Sequence, residues 1–466
     1  MKIKNYLVRI KNLLCMDLLD ERNVLLSIFG IALIVRLLYV IIFPTVILCD
    51  AKAYDTMAIG LIEGMGYGGG TSSYWPPGQP FVLAAIYAVF GYNPQMACIF
   101  QALISSLTCI VIYHIGKTTF NRKIGMISGF IAAIYPTFII FCGDLRSETL
   151  FIFLSSLSVL YLLKIHEDPS VKSILIAGVS FGMAMLVRPA IMGLIPLLLI
   201  WMSFSSKDRK KNLMKFMAVC AILMAVISPW MMRNYNVHHG FVLVSTNGGV
   251  NLWLGNNADA TGMACNYLKN ETMLWTIWNM TDDEIKRDKL FYKKGFEFIR
   301  ENPIKVLWLD LKKFAYFWGF PFHFFGNYLN DLFINPIPKW LFIVLAPLTI
   351  LPYMILLPLA IFGITFHQTW DKNTYLLMLL ISYYTVIHSI ILAETRYHLQ
   401  VVPYLIIFAA YGISLMNKVR SEIRLEDPKT KRKIVKFFLL IAFLIVIWCY
   451  STCYWSDRIM LFIKKF

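Results

Sequence analysis

The chain has 466 residues, 58% of them hydrophobic and only 15% charged, with a mean hydropathy of +0.63. A soluble domain of this size would have too little polar surface to face water, and the short alternating segments of a membrane barrel are absent, so the chain reads as an all-α polytopic membrane protein. The net charge of +17 does not indicate nucleic acid, because many basic residues cluster at Met1 to Arg22, Gly116 to Lys123, Ser205 to Lys215 and Asn417 to Lys436, at alternate ends of apolar segments.

Hydropathy predicts about eleven membrane helices, near 24–43, 95–115, 125–142, 147–164, 172–187, 189–204, 214–232, 340–364, 374–393, 399–416 and 435–453. The first lacks a small-residue cleavage site and is expected to be retained, not removed as a signal peptide. Between the first two lies a long loop, 44–94, in which Ala51 to Gly64 and Pro80 to Gly91 are expected to form short interfacial helices. A second long loop, 233–339, has the composition of a soluble segment, with helices predicted near 282–300 and 303–318. It is expected to cap the bundle. Four parts are expected: a transmembrane module with loop one (1–232), the capping loop (233–339), further transmembrane helices (340–416), and a charged linker with a terminal helix (417–466). With a basic amino terminus in the cytoplasm, the short Lys/Arg-rich loops fall inside. The loops holding Asp50, Asp144 to Glu148, Arg188 and Glu394 to His398 then fall outside.

Those outer loops carry the residues suited to chemistry. Asp50, Lys52, Tyr54 and Asp55 stand where the chain leaves the first helix, and a carboxylate there can take a proton from a hydroxyl. Glu148 opens a helix, where the dipole favours a negative charge. Arg188, before Pro189, and Glu394-Thr-Arg-Tyr-His398 place cations on the side where the positive-inside pattern disfavours them, which points to an anionic ligand. Arg233 either joins that group or anchors a helix. Arg36 lies inside the first helix, so it is either tied to a carbonyl or carboxylate or lines a cavity. The nine cysteines sit singly, with neither CxxC nor Cys/His metal spacing. No nucleotide-binding loop, zinc-protease or hydrolase motif is present, so substrate energy must arrive already activated.

The order of several short motifs resembles the polytopic glycosyltransferases of the GT-C fold, in particular the bacterial relatives of protein O-mannosyltransferases and the 4-amino-arabinose transferases of lipid A. The matching residues are Asp50-Ala-Lys-Ala-Tyr54, Gly64-Met-Gly66, Pro76-Pro-Gly-Gln-Pro80, Ala133-Ile-Tyr-Pro136, Glu148-Thr-Leu-Phe151, Arg188-Pro189, Pro229-Trp-Met-Met-Arg-Asn234, Leu254-Gly-Asn-Asn257 and Arg396-Tyr397. No one motif is specific; their order over 45–260, with a weaker echo to 404, carries the likeness.

The resemblance implies a GT-C-type bundle in the cell membrane, with its active site facing outside. It also implies inverting transfer of a sugar from a polyprenyl-phosphate donor to a lipid, protein or glycan acceptor. Asp50 then matches the base, and Glu148 the second acid, which orients the acceptor or binds a divalent metal. Lys52, Arg188 and Arg396 become candidates for holding the leaving phosphate, with Tyr54, Asp55 and Tyr397 beside the substrate. Ala51 stands where an acidic residue often follows the first Asp, which leaves metal use open. The rival functions are a transporter or flippase of a polyprenyl-linked or anionic lipid, and a lipid-linked polysaccharide polymerase or ligase.

Overall fold

A computed structural model describes residues 20–43, 45, 47–167, 170–204, 208–262, 271–320, 339–424 and 427–465. The basic cluster at Met1 to Arg22 therefore lies mostly outside the described residues, as do parts of the 233–339 loop. Among the described residues the regular elements are all helical.

Each of the eleven expected apolar segments contains a helix. Among the described residues seven helices are long and apolar enough to cross a membrane, and an eighth span is formed if a bent pair counts as one. The chain is thus a multi-pass membrane protein, and length and composition of the described residues leave the count of eleven unconfirmed. Several of the remaining apolar segments are short or interrupted helices. α1 is Glu21–Ile42, α4 Pro94–Thr119, α7 Glu148–Glu167 and α10 Arg209–His238; α15 is Lys339–Phe366, α17 Val402–Arg424 and α18 Pro428–Lys465. The bent pair is α5 (Arg122–Ile134) and α6 (Pro136–Ile140), turned by 52°. α8 (Val171–Val187) and α9 (Ile195–Phe204) are shorter, with a 3-10 turn, Pro189–Leu194, between them. Pro136 and Pro189 account for both breaks, because proline cannot donate to the helix ladder and crowds the preceding residue.

Arg36 fixes the bend between α5 and α6. Its side chain is fully buried and donates to Ala133 O at 2.7 Å, Ala132 O at 3.1 Å and Ala32 O at 3.0 Å. Its Nε donates to Ser105 Oγ at 2.8 Å. It thereby satisfies Ala133 O at the carboxyl end of α5, where the proline break removes a helical donor, and adds a second donor to Ala132 O, which also accepts from Tyr135 N. Of the two expectations for this residue, the tie to carbonyls is the one observed.

The 44–94 loop folds into α2 (Asp50–Ile62) and α3 (Gly78–Phe90), and the 233–339 loop contributes α11 (Gly248–Gly255), α12 (Thr272–Trp278), α13 (Glu284–Glu301) and α14 (Pro303–Phe317). α16 (Lys372–Ile390) leads through a 3-10 turn, Thr395–Gln400, into α17. α15 and α17 cross closely at Gly363 and Gly412. A Cβ on Gly363 would fall 2.0 Å from Phe408 O, so only glycine permits this approach.

Chain alternation separates two ends. At one end Lys117 meets Glu21 at 2.6 Å, and Trp201 Nε1 donates to Lys372 O at 2.7 Å. At the other, the loops before α2, before α7, after α8 and before α17 converge.

Candidate active site

α2 starts at Asp50, where the helix dipole favours a carboxylate. The preceding Cys49 has φ +50° and ψ −122°, a region that L-residues rarely adopt and that costs about 1–3 kcal/mol. Asp50 keeps 29% of its side chain exposed. Tyr54 lies one turn later on the same face, buried, its ring 5.4 Å edge-on from Trp75. Burial, then the charge of Asp50, pushes its phenol up to about 12.

Glu148 opens α7 and is almost wholly buried, at 1% side-chain exposure. The preceding Ser147 accepts a bond from Arg188 Nε at 2.9 Å, while Arg188 Nη2 reaches Glu148 Oε1 at 2.6 Å. Arg188 ends α8 in extended conformation, as a residue before proline should.

Arg396, in the 3-10 turn before α17, ties these pieces together. Its Nη2 is 2.7 Å from Asp50 Oδ2, its Nη1 is 3.1 Å from Glu148 Oε1, and its Nε donates to Glu394. Burial alone would lower the guanidinium's pKa, but Glu394, Asp50 and Glu148 outweigh it and hold the value well above the ordinary one. Arg188 is likewise raised, by Glu148 against burial. Tyr397 underlies both cations, 5.5 Å from Arg396 and 5.7 Å from Arg188, within cation–π range. Beside the cluster, Arg146 pairs with Asp144 at 2.6 Å.

The structure brings Asp50, Tyr54, Glu148, Arg188, Arg396 and Tyr397 into one neighbourhood. It does not bring Asp55 there. Asp55 is buried and accepts bonds from Tyr87 at 2.6 Å and Tyr92 at 3.0 Å, clamping α2 to α3. Lys52 is exposed and, two residues from Asp50, points to roughly the opposite side of the helix. Arg233 also stands apart, donating to the carbonyls of Tyr67, Gly70 and Ser72 at 2.9–3.1 Å, so it anchors the glycine-rich loop after α2. Glu394 and Ser147, which carry no expected role from sequence, complete the cluster. Their signal is local: Glu394 stands two residues before Arg396 and Ser147 immediately before Glu148, in polar turns between apolar helices.

Three carboxylates (Asp50, Glu148, Glu394) thus meet two guanidiniums (Arg188, Arg396), leaving one negative charge over. Among the described residues Asp50 Oδ1 has no hydrogen-bond partner, so the partly exposed carboxylate is oriented through Oδ2. Among the described residues no group of three His, Cys, Asp or Glu side chains is arranged around a metal position.

Residues 75–232 match the family model of dolichyl-phosphate-mannose-protein mannosyltransferases. ArnT from Cupriavidus metallidurans bound to undecaprenyl phosphate superposes with a TM-score of 0.52 at 13% identity, covering 91% of this chain and 64% of that one. The chain has the GT-C fold of membrane glycosyltransferases. The same GT-C architecture is shared with the Archaeoglobus fulgidus oligosaccharyltransferase in its apo form, with TM-score 0.51, 13% identity, and coverage of 90% and 54%. That enzyme has also been solved with zinc and sulfate (TM-score 0.50, 12% identity, coverage 91% and 53%). The chain therefore spans between about half and two thirds of the length of these GT-C proteins. No curated protein sequence matches it.

Proposed function

We propose that the protein is an inverting glycosyltransferase that moves a sugar from a polyprenyl-phosphate donor to an acceptor hydroxyl at the outer face of the cell membrane. The observation that carries this reading is the state of Asp50: oriented through Oδ2 by Arg396, 29% exposed, with Oδ1 unpartnered among the described residues, and at the bundle end where apolar spans meet polar loops. An acceptor hydroxyl approaching Oδ1 attacks the anomeric carbon from the face opposite the phosphate. As the new C–O bond forms, Asp50 takes the hydroxyl proton, and the C–O bond to phosphate breaks with its electron pair leaving on polyprenyl phosphate. The configuration inverts, and Asp50 returns its proton to water.

Glu148 lies beneath, too buried to exchange protons with solvent, and it holds Arg188 and Arg396 in place. Each guanidinium has N–H groups beyond those spent on carboxylates: Arg396 uses three of its five donors. The remainder suit a phosphate oxygen. Support for a lipid-phosphate donor comes from the ArnT structure, which holds undecaprenyl phosphate. The four-part division at 232, 339 and 416, with 233–339 selecting the acceptor from the outside, belongs to this proposal.

The test is release or transfer of sugar from a panel of polyprenyl-phosphate sugars by purified protein, beside Asp50→Asn. Turnover of one donor, lost in the variant, supports the proposal. Bound lipid without turnover across the panel would favour a transporter.

A further inference from the structure

Resting on the reading of this cluster as the reacting centre, we infer that Arg396 is its resident cation, filling the place between Asp50 and Glu148 that a divalent metal would need. A metal bridging the two acids requires a carboxylate oxygen of each at about 2.0–2.2 Å from one point. That gap is taken by a planar guanidinium, with Nη2 2.7 Å from Asp50 and Nη1 3.1 Å from Glu148. The group is held from a third side by Glu394 through Nε.

The guanidinium has little freedom to move aside. Its side chain is 7% exposed and rests over the ring of Tyr397 at 5.5 Å. Glu148 Oε1 already accepts from Arg188 at 2.6 Å as well, so on this acid only the buried Oε2, which has no partner among the described residues, is left, and both guanidiniums stand on the same carboxylate. A dication entering here would face two fixed positive charges a few ångströms away, with a surplus of one negative charge to offset its two. A surplus of one suits the single positive charge that develops on the sugar ring as the bond to phosphate breaks. The donor set and the charge count therefore do not fit a divalent ion, and Arg396 does what such an ion would do: it holds the two acids at a fixed separation.

The probe is Mn2+ alone, titrated by electron paramagnetic resonance into the purified full chain, with turnover measured in parallel under chelation. The wild type and Asp50→Asn should show the same weak, nonspecific Mn2+ uptake, and any turnover should survive EDTA. Arg396→Ala should gain a site at millimolar Mn2+ that the double variant with Asp50→Asn lacks. Tight wild-type binding lost in Asp50→Asn, or turnover removed by EDTA and restored by Mn2+, would overturn the inference. So would a folded Arg396→Ala variant that gains no site. Should Arg396→Ala fail to fold, the comparison of wild type with Asp50→Asn decides by itself. Mn2+ binding is read without turnover, so failure of the glycosyl-transfer proposal is distinguishable from failure of this one.

Discussion

Arg396 Nη2 lies 2.7 Å from Asp50 Oδ2, across 346 residues of sequence. This pair joins the start of α2 to the turn before α17, and so links loop one to the carboxyl-terminal spans. Arg396 also meets Glu148, which brings the start of α7 to the same point. One cation thus sets the mutual geometry of three separated segments.

Replacing Arg396 should therefore cost more than one ion pair. Arg396→Ala leaves Glu148 and Glu394 buried near 1% and 5% exposure with their shared partner gone, and loss of one member of a buried pair costs about 3–5 kcal/mol. Thermal unfolding in nanodiscs should show a clear drop in Tm. Arg396→Met combined with Glu394→Gln should recover part of it, because a buried negative charge that has lost its guanidinium is then removed. No drop in the single variant would mean that the cluster is not structurally coupled.

Arg36 makes a second stability prediction, separate from the site. Arg36→Met removes the side-chain donors from Ala133 O and Ala132 O; Ala132 O keeps Tyr135 N, and a buried carbonyl left unsatisfied, as Ala133 O would be, costs about 1–3 kcal/mol. Unfolding should occur at lower temperature, by about 1–3 kcal/mol. An unchanged Tm would show that the bend at Pro136 stands without it.

Much of this was legible because hydropathy is local. All eleven apolar segments contain helices, and Pro136 and Pro189 mark the interruptions. Full spans were harder to count, since an apolar run such as Val171–Val187 does not state whether its helix crosses the bilayer. Within the cluster, Asp50, Glu148, Arg188 and Arg396 announce themselves as charges at the ends of apolar runs. Their pairing does not, because no sequence pattern records a contact over hundreds of residues. Asp55 shows the converse: its proximity to Asp50 in sequence suggested a shared task, whereas 100° per residue around α2 turns it toward Tyr87 and Tyr92.

Cys49 offers a chemical reporter beside Asp50. It is exposed, yet partial burial of its thiol raises its pKa, and the neighbouring Asp50 charge raises it further. A raised thiol pKa means less thiolate at any given pH, so alkylation at pH 7.5 should be slower than for a free thiol and should climb at alkaline pH. In Asp50→Asn the same reaction should run faster, in a variant whose other cysteines are serine. Equal rates would show that Asp50 is not charged beside the thiol. With intact cells and an impermeant reagent, the same variant reports which side of the membrane this end faces, and the account predicts labelling from outside.

Arg233 should matter for the loop it pins. Arg233→Ala removes four donated bonds to the loop, to Tyr67 O, Gly70 O, Ser72 O and Ser73 Oγ, and a fifth to its neighbour Asn234. Hydrogen exchange over 66–75 should rise by at least about tenfold, with little change at α15 or α17. Unchanged exchange there would place the restraint elsewhere, on Glu284.

The central claim is that Asp50 takes the proton of the acceptor hydroxyl. It is tested most directly by single-turnover sugar transfer from a polyprenyl-phosphate donor in nanodiscs, wild type against Asp50→Asn, with donor binding measured on the same samples. The account predicts transfer lower by about 10²–10⁴-fold in the variant, donor affinity within a few-fold, and product of inverted anomeric configuration. Wild-type rates in Asp50→Asn, or a product that retains configuration, would contradict it.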